Sequence, residues 1–460
     1  MKQKKSAIII LSLIFLLAFS IKIMPLYKGY NIPFGYVDTA FHVSSALDIS
    51  ESNFKSMVHP WWHVRNHILI DGYDVVDRNA ASLFYPPLIH LILAFFFLFM
   101  NPGSASVIVI SLLYSLSVPA AFFLCKSFGF KDKYALVSAA LAAISVPLLS
   151  SQNYGFWTFA IASNFIILSY SFLRFKVRKF TILSIIFYFL ALTTHWAFFP
   201  AAIIIGLAEF FIGRNKEANI YIFSAVLIAI PFLVYISYLH SPFDYAGTYF
   251  RELAIPNYIF ITLGAAGLLL NFKKYREMLV FSFLSFFIFA LFYFFGMKLI
   301  FADMIQFIFP FIVAFYIGAL FQNINKKNIK HVFAIILLAA VISDFMLIKG
   351  IFDSSKPSIT SKDFNNLLEL RNEFKPDETT IIAADRGLLP WWITVVSKNS
   401  KIIYPDTYEN ENLKEYRQNY ILNETKTAGG YTFYRIAKKG DKLVLEKNAA
   451  LPKKIYGFGY

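Results

Sequence analysis

Shortly after the first apolar run the chain reads Gly35-Tyr36-Val37-Asp38-Thr39-Ala40-Phe41-His42. An Asp and a His four residues apart share one face of a helix. At a membrane surface such a carboxylate can take a proton or hold a cation, and the imidazole can orient it or bind phosphate. Asp38 is equally suited to capping a helix over residues 39–50, and the two roles are compatible. A second group is Tyr85-Pro86-Pro87-Leu88-Ile89-His90, approached by Asp71, Asp74, Asp77 and Arg78. It reads either as a binding element or as a Pro-Pro helix start with His90 at an interface. His195, in Thr193-Thr194-His195-Trp196, falls at the turn between two short apolar runs. A His at that depth is a functional candidate, while Trp196 also suits an interfacial anchor. Arg251 and Lys298 are cations in two further outer turns. Binding an anionic lipid phosphate would account for them, as would ordinary solvation.

The elements that must position these residues are membrane helices. The 460 residues are 58% hydrophobic and only 15% charged, with a mean hydropathy of +0.57 and 53 Phe. Soluble domains carry about a quarter charged residues. The apolar runs approach the ~20 residues that cross a hydrocarbon core of ~30 Å. They are apolar on every side, whereas helices of a soluble core alternate. About eleven spans are expected, at 6–26, 106–125, 134–150, 156–173, 179–194, 197–213, 219–240, 256–271, 277–297, 300–321 and 331–350. The net charge of +15 is not a nucleic-acid footprint, because the basic residues cluster in short loops between spans. Arg174 to Lys179, Lys273 to Arg276 and Lys326 to Lys330 are expected to be cytoplasmic, as are the N-terminus and Lys126 to Lys133.

Residues 84–100 are apolar too. If they crossed, Lys126, Lys131 and Lys133 would land outside, so the segment is expected to be a juxtamembrane helix opened by its two prolines. A full span that breaks the charge rule is the alternative. Lys2, Lys4 and Lys5 before an apolar stretch resemble a signal peptide, with Ala18-Phe19-Ser20 as a cleavage site. The stretch continues to Met24, which favours an uncleaved first span. A single cysteine, Cys125, leaves no disulfide framework and no Cys metal site.

The chain changes character near residue 351. Charged residues return, with strand-like runs Thr380 to Ala384 and Tyr431 to Ile436 and a helix-like stretch at 362–374. The expected organisation is a membrane domain over 1–350, including an outer loop at 27–105, and a small α/β extracytoplasmic domain over 351–460. No internal repeat marks the inverted symmetry of secondary transporters.

In this order of features the chain resembles the GT-C superfamily of membrane glycosyltransferases, which use polyprenyl-phosphate-linked sugar donors. It is most similar there to the catalytic subunit of oligosaccharyltransferase and its archaeal and bacterial relatives, over roughly residues 1–350. That family carries an outer-loop Asp followed by an aromatic and a His, matched by Asp38, Phe41 and His42. It also has a proline-aromatic helix before the second span, matched by Tyr85 to His90. Two departures stand out. The second outer loop of oligosaccharyltransferases bears an acidic pair that helps hold a divalent metal, and here it reads Ser150-Ser151-Gln152-Asn153-Tyr154-Gly155-Phe156-Trp157. Hard cations want several anionic oxygens, so no metal or other cofactor is expected. The acceptor-binding Trp-Trp-Asp motif is also missing, with only a reordered echo at Asp385 to Ile393. The chemistry therefore fits better the metal-free lipid-A and protein-mannosyl types, which use an Asp base and Lys or Arg on the donor phosphate.

The resemblance implies an all-α membrane domain of GT-C type and an inverting transfer from a polyprenyl-phosphate sugar to a protein, glycan or lipid acceptor. Asp38 and His42 would be catalytic, with Tyr85, His90, His195, Arg251 and Lys298 on the substrates and Arg65 or Arg78 as lesser candidates. The expected location is the cell membrane, N-terminus cytoplasmic and C-terminal domain outside. A lipid-linked-oligosaccharide flippase or a membrane scaffold is the rival reading. Transport needs polar groups at mid-membrane depth, whereas here the spans are almost uncharged, with Asp303 and Asp344 near their ends.

Overall fold

A computed structural model of the chain describes residues 2–34, 37–51, 67–70, 73–77, 86–195, 198–238, 258–294, 298–375, 380–384, 392–397, 401–402, 425–426, 432–440 and 442–447. At Asp38 and Lys298 it describes the backbone. The described residues fall into two compact units. One holds residues 1–27, 108–237 and 241–355; the other holds 28–107, 238–240 and 356–460.

The first unit is helical. Its elements are α1 (Lys2–Lys22), the end of α4 (Pro102–Ser115), α5 (Ser117–Ser127), α6 (Asp132–Ala143), α7 (Val146–Tyr154), α8 (Trp157–Leu173) and α9 (Arg178–Thr194). They continue with α10 (Phe199–Leu207), a π-helical turn (Ala208–Ile212), α11 (Ala218–Tyr238), α12 (Tyr258–Asn271), α13 (Arg276–Phe294), α14 (Lys298–Asn323) and α15 (Lys327–Ser354). Each stretch expected to span contains at least one helix among the described residues. Among the described residues, four stretches are long and apolar enough to cross a membrane: Lys5–Lys22, Pro102–Ser127, Asp132–Gln152 and Lys327–Ile351.

The hub is α8, buried on almost every side and packed against α5, α9 and α14. Close approach elsewhere needs missing side chains. A Cβ at Gly267 would collide with the Tyr316 carbonyl, which lets α12 and α14 touch at their backbones. Between α7 and α8, Gly155 adopts φ +89°. That left-handed residue, with Gly155 and Phe156 N–H donating back to the carbonyls of Gln152 and Ser151, ends one helix and starts the next within two residues.

The second unit combines helices with a sheet. Its helices are α2 (Val37–Glu51), α3 (Leu88–Phe97), the start of α4, α16 (Ser361–Glu373) and the short α17 (Ile393–Ser397). Among the described residues seven strands form one mixed sheet: β1 (His67–Ile70), β2 (Tyr73–Asp77), β3 (Thr380–Ala384), β4 (Lys401–Ile402), β5 (Thr425–Lys426), β6 (Thr432–Lys439) and β7 (Lys442–Lys447). Their order is β5-β1-β2-β4-β3-β6-β7. The strands β3 and β6 and the helix α16 occur where the sequence predicts them. The sheet also takes in strands from the first loop: β2 pairs antiparallel with β4, setting Val76 opposite Ile402 and Asp77 opposite Lys401. Residues 28–107, assigned from sequence to the membrane domain, thus group with 356–460. Gly440, at φ +59°, supplies the positive φ required by the two-residue hairpin between β6 and β7.

Candidate active site

Helix α2 starts at Val37, just past Gly35, and holds no Gly or Pro to interrupt it. Asp38 therefore lies inside the first turn, not ahead of it. At that end a carboxylate is favoured by the helix dipole. The buried Ala40, Val43, Ala46 and Leu47 make an apolar stripe at helical spacing. It packs against α3, whose buried residues are Ile89, His90, Leu93 and Ala94. Pro87 caps α3, as the Pro-Pro pair predicts. Ten residues at ~1.5 Å each reach only about 15 Å, half the depth of a hydrocarbon core.

That packing brings two predicted residues together. His42 Nδ1 lies 2.9 Å from His90 Nε2, and both side chains are buried. The Phe41 ring stands edge-on to both imidazoles. One ring must donate and the other accept, so at most one of the two carries a positive charge. Burial drives the His90 pKa down to about 4. The consequence is an oriented imidazole pair, its His90 ring neutral at pH 7, one helical turn beyond Asp38.

His195 belongs to the other unit. It follows the last residue of α9, buried, with its ring 3.7 Å centroid-to-centroid from Phe159 and edge-on to Phe198. An aromatic cluster thus fixes that imidazole. Lys298 opens α14. Tyr85, Arg251, Arg65 and Arg78 lie outside the described residues.

Three residues near α2 carry a geometry that motif reading does not find. Arg371, on α16, is 1% exposed. Its Nη2 donates to Asp48 Oδ1 at 2.7 Å and to Glu51 Oε2 at 2.9 Å, its Nε to Glu51 Oε1, and its Nη1 to the Val395 carbonyl at 2.6 Å. Burial opposes the guanidinium charge, but Asp48 and Glu51 outweigh it and hold its pKa above the usual value. The sequence held one clue. Asp48 and Glu51 stand in the last turn of α2, where the helix dipole disfavours carboxylates.

The turn that carries an acidic pair in oligosaccharyltransferases does not fit a divalent cation here. Residues 150–157 contain no carboxylate. The Gln152 amide is directed inward, Nε2 donating to the Lys22 carbonyl and to Ser111 Oγ, both at 3.0 Å. Among the described residues no three His, Cys, Asp or Glu side chains gather as a metal site would require.

No family model and no curated protein matches the chain. Solved structures do. Over 94% of this chain and 69% of the other, it is similar to the oligosaccharyltransferase of Archaeoglobus fulgidus in the apo form, with a TM-score of 0.60 and 12% identity. Over 98% of both chains it is similar to ArnT from Cupriavidus metallidurans bound to undecaprenyl phosphate, with a TM-score of 0.56 and 9% identity. ArnT in the apo state gives a TM-score of 0.52 at 10% identity, over 98% of this chain and 100% of that one. At such identities the likeness is one of architecture, and the architecture of this multi-pass chain is the GT-C fold of membrane glycosyltransferases.

Proposed function

We propose that this chain is an inverting glycosyltransferase that moves a sugar from a polyprenyl-phosphate carrier to an acceptor at the outer membrane face, without a metal. Asp38 accepts the proton of the acceptor hydroxyl or amide as that group attacks the anomeric carbon. The bond from the sugar to the phosphate oxygen breaks on the opposite side, and polyprenyl phosphate leaves with the electron pair. Cations from Arg251, Lys298 and, less centrally, Arg65 or Arg78 offset its developing charge, which is where preorganised electrostatics lowers a barrier most. His42, His90, Tyr85 and His195 bind and orient the substrates.

The observation that carries this reading is the meeting of His42 and His90 from segments 48 residues apart, one turn from Asp38. Supporting it are the GT-C fold and the lipid found with one structural neighbour, undecaprenyl phosphate on ArnT.

The test uses membranes of the source cells, where the natural donor is present. Asp38→Asn preserves size and hydrogen bonding and costs α2 at most about 1 kcal/mol of dipole interaction. General-base help is worth ~10²–10⁴ in rate. Folded Asp38→Asn protein should therefore lose glycoconjugate formation by that factor. Undiminished transfer would remove Asp38 from the reaction. Intact transfer with impaired movement of the lipid-linked sugar across the bilayer would point to the flippase instead.

A further inference from the structure

The end of α2 remote from Asp38 is held by an arrangement that helix stability does not explain. Asp48 and Glu51 sit three residues apart on one side of the last turn. Their charges oppose the helix dipole there. Both converge on one side chain, Arg371, whose fork grips Glu51 through two nitrogens and reaches Asp48 and the Val395 carbonyl with the rest of its donors. A planar fork engaged bidentately fixes an angle as well as a distance.

The base of this grip is itself well anchored. Thr360 caps α16, its Oγ1 accepting from Asp363 N–H at 3.0 Å and donating to the Asp363 carboxylate at 2.9 Å. Helix α17 packs against both α16 and α2, and its Trp392 neighbour donates from Nε1 to Ser358 Oγ at 2.9 Å. Nearer Asp38, α2 has the His42–His90 bond. The helix is thus held at two points, with Asp38 beyond the first.

We infer that Arg371 is a positioning residue for sugar transfer, by which the 356–460 segment sets the placement of α2 and hence of Asp38. Thirteen residues separate Asp38 from Glu51, about 20 Å of helix. A tilt of roughly 3° at that lever arm displaces the far end by about 1 Å, and such an error in a reacting group costs on the order of 10²-fold in rate. The His42–His90 bond resists part of the tilt, so the expected loss is smaller, about tenfold.

This role rests on the transferase reading of Asp38, and the test keeps the two apart. In full-length protein in source-cell membranes, glycoconjugate formation is compared for wild type, Asp38→Asn, Arg371→Lys, Arg371→Gln and the neutral triple Arg371→Met/Asp48→Asn/Glu51→Gln. Amide exchange of residues 37–51 is followed in the same proteins. Neutralising all three partners leaves no buried unpaired charge, so the triple should unfold at nearly the wild-type temperature. Its exchange over 37–51 should nevertheless be about tenfold faster and its transfer about tenfold slower, with Arg371→Lys in between. A merely structural arginine predicts that the triple recovers transfer along with stability, and that outcome overturns the inference. So does full transfer by folded Arg371→Gln. If Asp38→Asn transfers normally, the transferase reading fails by itself, while unchanged exchange in the triple still condemns the tether.

Discussion

Among the described residues, each unit contains an arginine that meets two carboxylates, and the two groups are built to different ends. In the helical unit Arg174 ends α8, bonds Glu209 of the π-helical turn at 3.0 Å and lies 3.2 Å from Glu277 in the first turn of α13. Its guanidinium also rests on the Phe128 ring, 4.0 Å from the centroid. In the other unit Arg371 meets Asp48 and Glu51 across more than 300 residues of sequence. The contrast lies in the carboxylates. Glu209 is 0% exposed, whereas Asp48 and Glu51 are 22% and 39% exposed. A carboxylate wholly withdrawn from water depends on its cation for existence as an anion. Half-wet carboxylates can be solvated without one, so the grip on them matters for direction more than for energy.

The sharpest way to break this contrast is to remove each arginine. Arg174→Leu leaves Glu209 buried without its partner and should cost about 3–5 kcal/mol, seen as a large loss of unfolding free energy or of folded yield. Arg371→Leu should cost less, roughly 1–3 kcal/mol, because Asp48 and Glu51 can turn to water. Equal losses in chemical unfolding of the two variants would mean that exposure of the carboxylates does not separate the clusters.

Between these two in size lies an acid effect to which the unit of α2 contributes through His90. His90 is held near pKa 4 in the fold against an ordinary 6.5, so the unfolded chain binds its proton first as pH falls. Its contribution to stability is complete above about pH 6.5 and is lost progressively down to about pH 4, up to roughly 3 kcal/mol. Thermal unfolding across that window should show the slope, and His90→Asn should make it shallower by His90's share. A slope unchanged in His90→Asn would assign it to other groups.

The smallest expected effect is none. Because residues 150–157 offer no carboxylate to a hard cation, strong chelation should leave glycoconjugate formation in source-cell membranes unchanged. A requirement for added manganese or magnesium would mean that carboxylates outside this turn, Asp38 among them, hold a metal.

Much of the helical unit was readable in advance, including a break between the apolar runs at 134–150 and 156–173, although the helix before it runs on to Tyr154; in the other unit so was a helix opened by Pro86 and Pro87. Of the site, Asp38, His42 and His90 were visible as types and spacings. That His42 and His90 would share a hydrogen bond was not, since nothing periodic links positions 42 and 90. Arg371 was one charged residue within the helix-like stretch at 362–374.

By itself, the sequence determined the membrane helices. In hydrocarbon each backbone group must find its partner within its own segment, so twenty apolar residues specify a helix with no reference to the rest of the chain. Tertiary structure alone decided the order of the mixed sheet, the entry of residues 67–70 and 73–77 into it, the imidazole pair and the Arg371 fork. Each of these joins segments tens to hundreds of residues apart through one or two side chains or a few ladder bonds. Such contacts leave no local pattern, because their partners are chosen only when the chain has folded.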